Sequence, residues 1–368
     1  MVEEPQVIEA LRGVQDPELG RSIVELGMVH DVEVDAGEVR FTLALTTLAC
    51  PLRESIVENA RQAVLGLGNV EDVHVELREM TEEEKQQIWP EKPQQQQAGV
   101  AEQLNDIQHV VAVMSGKGGV GKSSVAALLA VALRREGKRV GVLDADITGP
   151  SIPKMFGLSG TPPMGPVGII PAETEEGIRV MSINLLLPEE DEAVIWRGPL
   201  ISGAIRQFWG DVLWADLDYL IVDLPPGTSD ASLTVMQSMP LNGVVLVTSP
   251  QGLAGMVVRK AARMAEKLTI PLIGVVENMS YAECPNCGER IDVFGPSKSE
   301  EVAEQVNAPF LGRLPLDPEL AERCDAGEIE AYEGEDFEPI AEAIAERVPE
   351  EASEPMMAQA HPQGPRGR

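Results

Sequence analysis

The chain has 368 residues, with 29 Lys or Arg against 60 Asp or Glu, for a formal net charge of -31. That length admits two domains, and so acidic a surface repels nucleic-acid phosphate and anionic lipid, which excludes attachment to either by bulk charge. The same balance suits a high-salt cytoplasm, or simply high solubility. No apolar run reaches the ~18 residues of a membrane span, and the acidic start Met1-Val2-Glu3-Glu4 lacks the positive charge of a signal peptide. A cytoplasmic protein with no nucleic-acid and no membrane partner is expected.

Residues 1–80 read as a small α+β domain: a helix from Pro5 to Val14, strands Val29 to Val34 and Val39 to Leu45 joined across Asp35-Ala36-Gly37, a helix from Pro51 to Leu65, and a strand Val70 to Leu77. Residues 81–106 carry charge, two prolines and Gln94-Gln95-Gln96-Gln97, a composition that buries no core and predicts a linker. From 107 to 348, short β-branched runs alternate with helical stretches. The strands predicted there are His109 to Met114, Val140 to Asp144, Ile178 to Ser182, Tyr219 to Asp223, Val244 to Thr248, Leu272 to Glu277 and Phe310 to Arg313. This alternation predicts an α/β domain whose mostly parallel sheet has helices on both faces. Residues 349–368, rich in Glu, Pro and Gln without periodicity, are expected to be a disordered tail.

The most informative stretch is Ser115-Gly116-Lys117-Gly118-Gly119-Val120-Gly121-Lys122-Ser123-Ser124. It fits the phosphate-binding pattern G-x-x-x-x-G-K-[ST] between a predicted strand and a predicted helix closed by Gly137, so a P-loop NTPase binding ATP and Mg²⁺ is expected. Glycines let backbone N–H groups converge on phosphate oxygens at a helix N-terminus. Lys122 is expected to hold the β- and γ-phosphates and Ser123 to ligate Mg²⁺. Lys117 is a second cation that an ordinary loop does not need. It suggests charge delivered to a nucleotide, on a neighbouring subunit, in the manner of an arginine finger.

Asp223, ending Leu220-Ile221-Val222-Asp223, is expected to bind Mg²⁺ through water, and in Leu224-Pro225-Pro226-Gly227-Thr228-Ser229-Asp230 the Gly227 N–H is the natural donor to a γ-phosphate. Asp144 and Asp146, in Asp144-Ala145-Asp146-Ile147-Thr148-Gly149-Pro150-Ser151, end another strand at the ligand-binding edge of such a sheet. Two carboxylates there can face magnesium and the attacking water, with Asp146 the candidate water-orienting residue; carboxylates so placed can also cap a helix.

The loop Lys117-Gly118-Gly119-Val120-Gly121-Lys122-Ser123 resembles the deviant Walker A loop of the family that contains nitrogenase iron protein and the partition and septum-site ATPases. The resemblance implies that Lys117 crosses a dimer interface and that Asp146 matches a switch aspartate. It also implies that Asn278, in Glu277-Asn278-Met279-Ser280, reads the nucleotide base, flanked by Leu314-Pro315-Leu316-Asp317-Pro318.

The chain has four cysteines. Two form Cys284-Pro285-Asn286-Cys287-Gly288, which argues for metal or redox chemistry over a disulfide framework. Two thiolates on a tight turn can bind one metal centre without closing a tetrahedral site. The economical completion is a homodimer in which two such turns meet on the two-fold axis, giving four thiolates for a [4Fe–4S] cluster or a Cys₄ zinc.

The order of motifs, from the deviant loop through Asp144 to Ser151, Val222 to Asp230 and Glu277 to Ser280 to the Cys284 turn, resembles that of the Mrp/ApbC iron–sulfur cluster carriers. Asp16-Pro17-Glu18 and Thr46-Thr47-Leu48-Ala49-Cys50-Pro51 resemble marks of the metal–sulfur cluster assembly domain often fused to them. The resemblance implies an ATPase that binds a cluster at a dimer interface and hands it to apo iron–sulfur proteins, with a cluster assembly scaffold as a further partner. Cys50 is either a thiol activated at a helix N-terminus or a buried packing residue, and Cys324 reads as packing. The rival functions are a partition- or septum-type switch, which calls for a basic surface or a C-terminal amphipathic helix, and a zinc-stabilised regulatory ATPase. In nitrogenase iron protein the two cysteines of each subunit lie far apart in sequence, so the adjacent pair here argues for handing a cluster on rather than for dedicated electron donation.

Overall fold

The computed structural model describes residues 2, 4–14, 22–35, 37–45, 53–68, 70, 72–81, 101–187, 198–353 and 355. The chain divides into two compact units, Met1–Gln97 and Ala98–Arg368.

The first unit contains helix α1 (Glu4–Arg12), strands β1 (Val29–Asp35) and β2 (Glu38–Leu45), helix α2 (Arg53–Leu65) and strand β3 (Asp72–Glu79). The sheet order is β1-β2-β3, with β1 antiparallel and β3 parallel to β2. On β2, alternation sends Val39, Phe41, Leu43 and Leu45 to the core, where they meet Val7 and Leu11 of α1 and Ile56, Ala60 and Val64 of α2. The Asp16-Pro17-Glu18 and Thr46 to Pro51 marks, Cys50 included, lie outside the described residues.

The second unit runs β4 (Asp106–Ser115), α3 (Lys122–Arg135), β5 (Val140–Asp144), α4 (Ile152–Met155), β6 (Ala172–Glu173), β7 (Arg179–Met181), α5 (Gly198–Gly210), β8 (Asp216–Asp223) and α6 (Asp230–Ser238). It continues through β9 (Gly243–Thr248), α7 (Gly252–Lys267), β10 (Leu272–Glu277), the short β11 (Ala282–Glu283) and β12 (Arg290–Ile291), α8 (Ser299–Gln305), β13 (Phe310–Arg313), α9 (Pro318–Ala326) and α10 (Glu338–Ala345). Eight strands form one sheet in the order β13-β10-β9-β4-β8-β5-β7-β6, parallel throughout except where β6 pairs antiparallel with β7.

Both faces of this sheet are covered, so its central strands read as continuous apolar runs. On β4, Val110, Ala112 and Met114 face a core shared with α5, α6 and α7, while Val111 and Val113 face one shared with α3 and α10. Helix α3 buries nearly every side chain from Val125 to Leu133, which explains its alanine-rich, uniformly apolar sequence.

Two ends of this unit differ from the sequence reading. The second unit starts before residue 107: a short 3₁₀ turn, Glu102–Leu104, leads into β4, Glu102 accepts a hydrogen bond from Trp209 Nε1 (2.9 Å), and Asn105 bonds the backbone at Val212 and Ala215. At the other end, the first residues of the expected disordered tail are held in place. Asn242 Nδ2 donates to Pro349 O (2.8 Å) and Ser353 N donates to Leu241 O (2.8 Å), so residues 349–353 are tied to the turn before β9.

Candidate functional site

In a parallel sheet the strand ends that receive ligand are the carboxyl ends, and here Ser115, Asp144, Asp223, Thr248 and Glu277 end five neighbouring strands. The phosphate loop leaves β4 at the middle of this row. Two glycines fix its path. A Cβ on Gly116 would lie 2.7 Å from the backbone of Val257 and Val258, so only glycine lets the loop pass α7. Gly121 caps α3 at φ 77 and ψ 30, and a Cβ there would lie 2.1 Å from Asn278 Nδ2. Between them Val120 is buried as an anchor while Gly118 and Gly119 are exposed.

Lys122 Nζ donates to Asp223 Oδ1 at 2.6 Å, and Ser123 Oγ donates to Asp223 Oδ2 at 2.6 Å. Lys122 is 6% and Asp223 0% exposed, so the pair is held in a low-dielectric environment where neither partner tolerates loss of the other. The cavity above, about 220 Å³, is lined by Ser115, Gly118, Gly119, Gly121, Lys122, Ser123, Ser124, Asp146 and Pro226, among others. The loop, the lysine, the hydroxyl and the two carboxylates Asp146 and Asp223 are thus brought together. The oxygens of Ser123 and Asp223 lie together as hard donors of the kind that would hold Mg²⁺.

Asp144 does not face the cavity as a second metal-facing carboxylate. Its Oδ2 accepts from the backbone N–H groups of Ser151 (3.1 Å) and Ile152 (3.2 Å) at the start of α4 and from Ser182 Oγ (3.2 Å), and its Oδ1 accepts from Asp146 N (3.2 Å). It is a helix cap and turn brace. Burial, reinforced by the charge of Asp223, pushes its carboxyl up to about 7. Asp146, turned into the cavity, is raised first by burial, with Lys122 opposing. Its Oδ1 accepts from Thr148 Oγ1 at 3.3 Å.

Three other predicted residues are held by the protein itself. Lys117 Nζ donates to Gln251 Oε1 just before α7. The Gly227 N–H, expected to meet a γ-phosphate, donates to Ser115 O (2.8 Å). Asn278, expected to read a base, gives Nδ2 to Val120 O (3.1 Å) and accepts Met279 N on Oδ1 (2.9 Å), so both ends of its amide brace backbone. Cys324 packs against the core on the side of α3 and α10, and burial pushes its thiol up.

The second cluster of chemistry follows β10 directly. Strands β11 and β12 pair Ala282 with Ile291 and Glu283 with Arg290, and the cysteine turn closes this hairpin. Cys284 N donates to Glu289 O (3.0 Å) and Gly288 N to Cys284 O (2.8 Å). The Cys284 thiol is held below the ordinary thiol range by the backbone N–H of Asn286, then by that of Cys287 and by the Cys287 side chain. N–H groups aimed at sulfur favour the thiolate that a soft metal requires. Cys287 is exposed and Cys284 half-buried. Among the described residues no three His, Cys, Asp or Glu side chains converge as a metal site, so this turn brings two ligands.

Sequence reasoning missed Gln251, Ser182 and Glu277. Glu277 carried a signal, since a charged residue closing a wholly buried strand needs partners.

Known proteins resemble this chain in both of its units. A family described as NUBPL iron-transfer P-loop NTPase matches residues 106–349, and one described as iron-sulfur cluster assembly protein matches residues 4–77. An iron-sulfur cluster carrier protein from Synechocystis is 44% identical over 334 residues, covering 89% of this chain and 91% of its own. One from Methanocaldococcus jannaschii is 49% identical over 260 residues, covering 69% of this chain and 90% of its own. Among solved structures, a nucleotide-binding protein from Archaeoglobus fulgidus in complex with ADP is similar with a TM-score of 0.59 and 49% identity, covering 65% of this chain and 95% of that one.

Proposed function

The chain belongs to the iron-transfer P-loop NTPase family, and from that premise we propose that it is an ATPase that carries an iron–sulfur cluster and hands it to apo iron–sulfur proteins. The observation that carries this reading is a hairpin turn that presents Cys284 and Cys287 together, set shortly after the strand that leads into Asn278, which braces the phosphate loop. The cluster is cargo. A [4Fe–4S] cluster takes four thiolates, so Cys284 and Cys287 of two copies would hold it across a two-fold axis. The exposed Ile291, Val293 and Phe294, which follow the turn, offer apolar surface for that pairing.

At the nucleotide site, Ser123 and Asp223 would hold Mg²⁺, which supplies neutralisation of phosphate charge. Lys122 would exchange Asp223 for the β- and γ-phosphates, since the incoming anion replaces the carboxylate as its partner. Asp146 would accept a hydrogen bond from the attacking water and orient it. Lys117 would leave Gln251 to reach the nucleotide of the second copy. Asn278 would face the base side of the loop that it braces, and Gly227 would release Ser115 to meet a γ-phosphate. A cluster assembly scaffold is the expected donor of the cargo. No helix among the described residues is long and apolar enough to cross a membrane, which accords with a cytoplasmic carrier.

The test is transfer. Protein loaded without oxygen with iron and sulfide is mixed with an apo-protein that needs a [4Fe–4S] cluster, with and without Mg-ATP. Activation of the acceptor, at a rate that ATP changes, is expected. A loaded protein that activates no acceptor under either condition would contradict the proposal.

A further inference from the structure

Glu277 is the last residue of β10, and Asn278 follows it directly. Asn278 faces the phosphate loop, donating to Val120 O and filling the space where Gly121 has no side chain. Glu277 is 0% exposed and has a separate set of partners. Its Oε1 accepts from Ser280 Oγ, its Oε2 accepts from Ser297 Oγ (2.8 Å) and from Ser299 Oγ, and Arg313 Nε stands 3.4 Å from Oε1. Arg313 Nε also donates to Ser280 Oγ at 2.6 Å, and the Ser280 N–H reaches Leu314 O at 2.8 Å.

The chain leaves this carboxylate at Ser280, makes the cysteine hairpin, and returns to the same carboxylate at Ser297 and Ser299. Between Tyr281 and Ser299 no residue is buried. The hairpin therefore has no core of its own to fix its direction. Its orientation is set at its base, where Glu277 gathers the hydroxyls and Tyr281 packs under Arg290, with Arg313 reaching Asp292 (3.4 Å) on the exposed side. A buried carboxylate is costly unless its hydrogen bonds are met, and here they are met by both ends of the excursion.

We infer that Glu277 is a positioning residue that ties the cysteine hairpin to the phosphate loop, so that nucleotide binding at the loop changes the setting of Cys284 and Cys287. A shift of the loop backbone at Val120 moves Asn278. Glu277, on the adjoining peptide, moves with it and carries the serine clamp. The inference deepens the carrier reading by naming the link between its two sites, but its test needs no cluster.

The experiment is alkylation of the metal-free protein with iodoacetamide, with labelling of Cys284 and Cys287 followed by peptide mass mapping, with and without Mg-ADP. Wild type, Glu277→Gln and a Ser297→Ala/Ser299→Ala double variant are compared, with ADP affinity measured for each. Coupling of ordinary size changes the wild-type rate at least about fivefold on nucleotide binding. In both variants ADP affinity stays within about twofold while the rate ratio falls to within about twofold of one, the change being confined to the link. A merely structural role would shift both rates alike and leave the ratio. Should Glu277→Gln fail to fold, the double serine variant, which keeps the carboxylate and Arg313, decides alone. A wild-type ratio of one, or a variant that binds ADP and keeps the wild-type ratio, overturns the inference. Iron content after reconstitution, measured alongside, judges the carrier reading separately.

Discussion

Lys122 is 6% exposed and met by Asp223 at 2.6 Å, whereas Cys287 stands exposed at the tip of a hairpin without a buried residue between Tyr281 and Ser299. The phosphate loop is fixed from every side, by α7 against Gly116, by Asn278 against Gly121 and by Asp223 against its lysine and serine. The cysteine turn is fixed within itself and at its base, with exposed contacts of Arg290 over Tyr281 and of Arg313 with Asp292 besides. A loop that must bind the same charged group in every cycle gains from preorganisation. A turn that must yield its cargo to another protein needs access and an incomplete ligand set. The difference separates a phosphate site whose loop, lysine and hard oxygen donors one chain brings together from a turn at which one chain brings two thiolates.

The largest effect expected is at the loop. Lys122→Ala should weaken ATP binding by at least about 100-fold, as loss of a buried charged partner does, while iron loading at Cys284 and Cys287 persists; calorimetry and iron analysis check both. Asp223→Ala leaves the Lys122 ammonium buried and unpaired, which should lower stability in urea, without nucleotide, by up to about 3–5 kcal/mol. Relief of Asp144, whose carboxyl is raised in part by the charge of Asp223, subtracts from that figure.

The same substitution can be placed in both regions. Gly121 and Gly288 both sit at positive φ, 77° and 73°, but a Cβ at Gly121 meets Asn278 Nδ2 at 2.1 Å and one at Gly288 meets nothing within 4 Å. Gly121→Ala should abolish nucleotide binding through displacement of Asn278. Gly288→Ala should cost only the about 1–2 kcal/mol of left-handed backbone, with iron loading retained.

The smallest effect distinguishes thiols by pH. The Cys284 pKa is lowered, so its thiolate persists to lower pH than that of an ordinary cysteine; the Cys324 pKa is raised, so its thiolate forms only at higher pH. In metal-free protein, the alkylation rate of Cys284 should climb at lower pH than that of Cys324. The reverse order would remove the N–H donors of the turn from the account.

Much of the fold was legible because its signals are local. Val110 to Met114 and Val244 to Thr248 are buried on both faces and read as apolar runs, and the loop pattern announces the bend between β4 and α3. Asp106 falls in the predicted linker, and the predicted strand starts at His109, because Asp106 and Gln108 lie on the partly exposed start of β4, where polar side chains interrupt the apolar run. What was not legible depends on partners distant in sequence. Asp144 caps a helix together with Ser182, 38 positions away, so its turning from the cavity left no local mark. The clamp on Glu277 joins Ser297 and Ser299, 20 and 22 positions on, and no short motif spans that distance. The residues at 349–353 look solvating in composition, yet three of the groups they offer to Leu241 and Asn242 are backbone, which composition does not encode.

On the proposed function, two copies complete one cluster site. The most direct measurement is native mass spectrometry of protein reconstituted without oxygen, with iron, sulfide and zinc determined on the same sample, for wild type and Cys287→Ala. A dimer with about four irons and four sulfides is expected, lost in the variant. A metal-loaded monomer, or a dimer that holds zinc alone, would contradict it.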